Sequence, residues 1–187
     1  MATSASEQTE ATAAEIAARC RPLSEEARGR LQEGVSPDAY VLILQEAGLY
    51  QDAVAFIAHW LEPRAAVWWG CQCVWKLLRP QPEASVDAAL RGIVQWVVAP
   101  GEETRRLCER LAEEVGISRP VGALALAAFG SGGSLAPVDL PAVPAPPTLT
   151  AASVHAALVV AGTRDPDQYR QFSFLGLDIA HGRNLWD

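Results

Sequence analysis

The chain has 187 residues, of which 50% are hydrophobic and 20% charged, which is enough apolar material for one substantial domain without disulfide or metal staples. Its net charge is -7, with 15 Lys and Arg scattered among 22 acids, and this excludes the clustered basic face that nucleic-acid binding demands. No uninterrupted apolar stretch is long enough to span a bilayer, and "MATSASEQTEATAAEI" carries no basic residue before Arg19, so we expect no membrane insertion and a cytoplasmic location.

Taken in order, residues 1 to about 10 are small, polar and acidic and are expected to be disordered. A helix is expected through Ala14 to Arg19, and a second from its cap Ser24 to Gly34. In "SPDAYVLILQEAG", Ser36 is the N-cap, Pro37 takes the first helical position and Gly48 closes the C-terminus. "YQDAVAFIAHWL" follows after almost no loop, so the two form an antiparallel hairpin. Pro63 opens the next helix, which Pro80 and Pro82 end. Val86, Leu90, Ile93 and Val97 give the following helix a core stripe. Helix 102–115 places Leu107, Leu111 and Val115 on one side and turns Glu103, Arg106, Glu109, Arg110 and Glu113 to water, and an Ala-rich helix fills Pro120 to Phe129.

Composition then changes. "GSGGSLAPVDLPAVPAPP", Gly130 to Pro147, holds three glycines and five prolines and reads as a turn followed by an extended strap or a free linker. Beyond it Thr150 caps a helix to Ala161, and Asp165-Pro166 starts the last one, which Gly182 ends. The fold class is all-α, a compact multi-helix bundle or an irregular stack of antiparallel helix pairs. Its organisation is a disordered N-terminus over 1–12, a main helical domain over 13–130, the strap or linker over 131–149, and a C-terminal helical pair over 150–187 packed on the main domain.

The stretch that most resembles chemistry is "AVWWGCQCVWKLL", Ala66 to Leu78. On a helix Cys71 and Cys73 point about 200° apart, so they do not chelate one ion, and both read as buried free thiols, as do Cys20 and Cys108. Cys71 centres a core face with Val67, Trp68, Val74, Trp75 and Leu78, while Cys73 looks the other way with Ala66, Trp69 and Lys76. That second side is open to two readings, core or partner surface, because it carries the only lysine.

Other constellations supply little. His59 with Glu62, and Asp178 with His181, have i, i+3 spacing but give two ligands each where a metal needs three or four, and His155 stands alone in an Ala- and Val-rich helix. "GSGGS" has no Gly-Lys-Ser or Gly-Lys-Thr after it and no helix to hold a phosphate. We therefore name no catalytic residue, no metal ligand and no cofactor.

The strings "YQDAVAFIAHWLEPRAAVWWGCQCVWKLL", "FGSGGSLAPVDLPAVPAPPTLTAASVHAAL" and "YRQFSFLGLDIAHGRNLW" resemble a bacterial family of unknown function associated with type VI secretion gene clusters. The likeness runs from about Ala39 onward; Gly70 stands where alanine is expected, which weakens the helix locally and permits closer packing. The resemblance brings no catalytic residues, and it implies a non-enzymatic adaptor, chaperone-like or structural accessory protein whose partner is a secretion-system component or effector. Residues chosen for partner binding are Arg64, Trp69, Lys76, Arg183 and Trp186, because Trp and Arg most often carry interface energy. The alternatives are a carboxylate- or metal-dependent enzyme, which a cleft joining His59 to His181 would favour, and a homo-oligomeric helical scaffold.

Overall fold

The computed structural model describes residues 11–163 and 165–186, so the expected disorder of residues 1 to 10 lies outside the described residues. Ten helices are present among them: α1 (Ala13–Arg19), α2 (Glu25–Gly29), α3 (Pro37–Glu46), α4 (Tyr50–Trp60), α5 (Pro63–Leu78), α6 (Ala84–Val98), α7 (Glu102–Val115), α8 (Pro120–Phe129), α9 (Leu149–Gly162) and α10 (Asp167–Ala180). The described residues form no strand beyond one isolated bridge between Ser134 and Pro144, and the fold is all-α.

The helix boundaries follow from local chemistry. Thr12 and Glu15 form a capping box at the start of α1, each satisfying an amide of the other. Ser24 caps α2 through the Ala27 amide and is itself held by Asp52 of α4, whose carboxylate accepts from both the Ser24 amide and its hydroxyl. α2 stops at Gly29 instead of running to Gly34. The Tyr40 hydroxyl donates to the Ala27 carbonyl at 2.6 Å, and the last turn tightens so that the amides of Arg30 and Leu31 reach back only three residues. At the end of α3, Gly48 takes a φ of +73° and the Leu49 amide returns to the Leu44 carbonyl, which closes the helix as expected. α9 begins at Leu149, one residue before its expected cap. Thr150 lies inside the first turn and donates its hydroxyl to the Ala127 carbonyl, tying α9 to α8.

Packing divides the helices into two groups. α1, α3, α4 and α10 form one, α6, α7 and α8 the other, and α5 and α9 touch both. α4 is enclosed from Asp52 to His59. α9 reaches α4, α5, α8 and α10, so the last two helices are integral to the core. Gly70 on α5 lies against Leu124 of α8 and Val154 of α9, which is the close approach that a glycine at this position allows.

The Gly/Pro-rich segment is fastened at its start and open at its tip. Arg105 of α7 is 4% exposed; its guanidinium holds Glu102 in a two-point pair and donates to the carbonyls of Phe129 and Ser134. Arg106, expected to face water, turns inward to the carbonyls of Ser134 and Ala136 and to Glu102 and Glu109. Polyproline backbone leaves carbonyls without helical partners, and arginine forks satisfy them. Leu135 packs against the core, whereas Val138, Leu140 and Val143 are exposed.

Candidate functional site

α5 decides the site. On one side of it Trp69 and Cys73 are enclosed, at 0% and 1% exposure, with only Lys76 at the helix end exposed, and the Trp69 indole donates to the Phe172 carbonyl at 2.9 Å. Trp69 thus has no surface to offer a partner, and its selection as a contact residue is corrected. The reason is α10: Gly176 brings that helix against the Trp69 ring, a neighbour invisible in α5 alone. The side assigned to the core is buried at Val67, Cys71 and Val74 and keeps contact with solvent only at its edge. Trp68 and Trp75 are only half-buried, although Cys71 beneath them is buried.

Those side chains form one wall of a groove of about 340 Å³ between α5 and α6. Trp68, Cys71 and Trp75 face Leu90 and Val94, with Gln72, Asp87 and Arg91 along the rim. The helices run antiparallel through the tight connection at Arg79 to Glu83, which places Trp75 near Asp87 and Trp68 near Val94. Of the rim groups, Arg91 pairs with Asp87 at 2.8 Å, and Gln72 donates to the Asn184 carbonyl at 2.8 Å. The polar edge is thereby neutralised from within, and the apolar floor remains uncovered by the described residues.

The C-terminal tail closes one end. Asn184, with a φ of +56°, offers its carbonyl to both the Trp68 indole and Gln72. Trp186 then lies under the Arg64 guanidinium at 4.1 Å, and Arg64 donates to the carbonyls of Val97 and Val98 at the end of α6. Arg64 and Trp186 therefore meet each other, holding the tail to α5 and α6. Arg183 is exposed and paired with Asp178 at 2.6 Å, and Lys76 is exposed on the last turn of α5 beyond the Trp75 end of the groove. The five chosen residues thus do not form one surface, and none of them lines the groove.

The groove itself has no reactive group poised for chemistry. Burial pushes the Cys71 thiol far above its ordinary value, as it does Cys73, and moves Cys20 and Cys108 to about 12, so all four are neutral. His59 and His181 are not brought together: His59 lines a cleft with His155, while His181 ends α10 beside Arg183. Leu90 was legible only as core, and Val94, Asp87 and Arg91 gave no separate signal. What pointed to them was Trp68 and Trp75, seven residues apart and so on one helix face, followed by an antiparallel helix.

Fold and site together define an all-helical protein with a tail-bounded apolar groove. The family of unknown function (DUF6931) matches residues 40–180, and the chain belongs to it. The matched span includes the groove and stops short of the tail from His181 onward. No curated protein and no solved structure matches the chain.

Proposed function

We propose that the protein is a non-enzymatic interaction module that docks an apolar segment of a partner protein in the α5–α6 groove. The observation that carries this reading is the uncovered floor of Trp68, Cys71, Trp75, Leu90 and Val94. A groove between antiparallel helices suits an amphipathic helix presenting apolar side chains one turn apart, and half-buried tryptophans are the residues that most often dominate such contacts. The Asp87–Arg91 pair on the rim would orient the incoming segment without a large desolvation cost. The resemblance to proteins of type VI secretion gene clusters makes a component or effector of that machine the partner in this reading, and an adaptor or chaperone-like role in the cytoplasm the context.

The test is site-specific photo-crosslinking in the bacterium, with the reactive side chain at Val94 or, as a control, at exposed Leu42 of α3. Val94 should capture one protein through a segment with apolar residues at helical spacing, and Leu42 should not. Trp75→Ala should weaken that complex about tenfold or more. Equal capture from both positions, or a complex indifferent to Trp75→Ala, would sink the docking reading. A captured partner encoded outside the secretion cluster would remove only the secretion context.

A further inference from the structure

A second opening, independent of the groove, lies where the end of α1, the end of α4 and the start of α9 converge. It measures about 630 Å³, and Arg19, Arg21, His59, Thr148 and His155 line it. An adjoining recess shares Arg19, His59 and Thr148 and reaches Thr150 and Ala151. The first turn of α9 therefore opens into the cleft. Thr148 holds the N-cap position without a side-chain cap, and the amides of Thr150 and Ala151 find no acceptor among the described residues.

His59 lines the same space. It is 7% exposed, and its Nδ1 lies 2.9 Å from the Ala55 carbonyl, which can only accept, so the proton sits on Nδ1. Nε2 makes no hydrogen bond with a described residue and is not a buried orphan, so it keeps access to solvent at the cleft that His59 lines. His155 makes no hydrogen bond among them either. Arg19 is steadied by the His59 carbonyl at 3.1 Å, and neither Arg19 nor Arg21 pairs with a described carboxylate. The acids nearby are Glu15, one turn from Arg19 and committed to Thr12, Asp52, committed to Ser24, and Glu62 at the far edge of the recess; Arg28 is spent on the carbonyls of Ala17 and Cys20, and Tyr169 donates to Val159.

We propose that this cleft binds a phosphoryl group, free or carried by a small molecule. Guanidiniums from the end of α1, open amides from the start of α9 and imidazoles from α4 and α9 approach from different directions. That spread matches a tetrahedral anion, whereas a planar carboxylate is satisfied by a single guanidinium fork. The opening has the size of small-molecule sites. Burial, together with His59, holds His155 at about 4, and burial followed by Arg19 keeps His59 below its ordinary value. A bound anion offsets both effects, so binding draws protons onto the two rings.

The experiment follows the ring resonances of His59 and His155 by NMR in the full chain at constant ionic strength, adding inorganic phosphate, ribose 5-phosphate or acetate. Both phosphates should shift the rings saturably and raise the His155 pKa by about one unit, while acetate requires at least about tenfold more. Tighter binding of ribose 5-phosphate than of phosphate supports an esterified ligand, and equal binding supports the free ion. Arg21→Gln and Arg19→Gln should each weaken phosphate about tenfold; Arg21 makes no side-chain bond among the described residues, so its variant keeps the native melting temperature. No saturable shift with phosphate, an equal response to acetate, or unchanged binding in both arginine variants would overturn the proposal.

Discussion

Glu102 and His155 answer to acid in different windows, for opposite reasons. Hydrogen bonds from Arg105, then from Arg106, hold the Glu102 carboxyl at about 2 against an ordinary 4.5. The unfolded chain therefore takes up that proton first, and the contribution of Glu102, complete above its ordinary value, is lost as pH falls toward about 2. His155 has its ordinary value of 6.5 lowered to about 4, chiefly by burial, so the unfolded chain again binds the proton first and stability declines between those two values. Denaturant midpoints measured across pH should fall in both windows. His155→Gln should flatten the upper decline, leaving the smaller His59 part, and should not change the lower one.

At the scale of elements, glycines set how closely helices approach. A methyl group on Gly176 of α10 would stand 2.8 Å from Ile57 and 2.9 Å from the Trp69 ring, neither of which has room to move. Gly176→Ala should cost about 1–2 kcal/mol, because overpacking outweighs the gain in helix propensity, and calorimetry would register it as a lowered melting temperature. Gly70→Ala should cost less, since the obstacle is the mobile end of Leu124. The two helices around Trp69 also show why the sequence left its side of α5 open between core and partner surface. Periodicity divided Cys71 from Cys73 correctly, and both lie on one uninterrupted helix. It had no means of showing that α10 would cover the Trp69 side while α6 left the Trp68 side open.

Across the whole molecule, Arg105 joins α7, the end of α8 and the extended segment, three consecutive pieces that it draws together over up to 29 residues of chain. Arg105→Ala would leave the Phe129 carbonyl without its donor, the Ser134 carbonyl with Arg106 alone and Glu102 without its main partner. We expect a loss of about 2–4 kcal/mol and new proteolytic cleavage between Ser131 and Pro147. Native-like protection of that segment in the variant would show that the packing of Leu135 and the hydrogen bonds of Ser134 and Leu135 with Val143 suffice to hold it.

The residues by themselves determined the all-α class and the course of most helices, because caps, prolines and apolar spacing act within a few positions of one another. They also placed a closing glycine at Gly48 and made Trp186 a residue to watch. Tertiary structure alone decided which face of α5 is interior, that Arg105 and Arg106 serve the proline-rich segment, that His59 meets His155 and not His181, and where α2 ends. Each depends on a partner far away in sequence, and burial is a property of the neighbour that arrives, which no local pattern encodes.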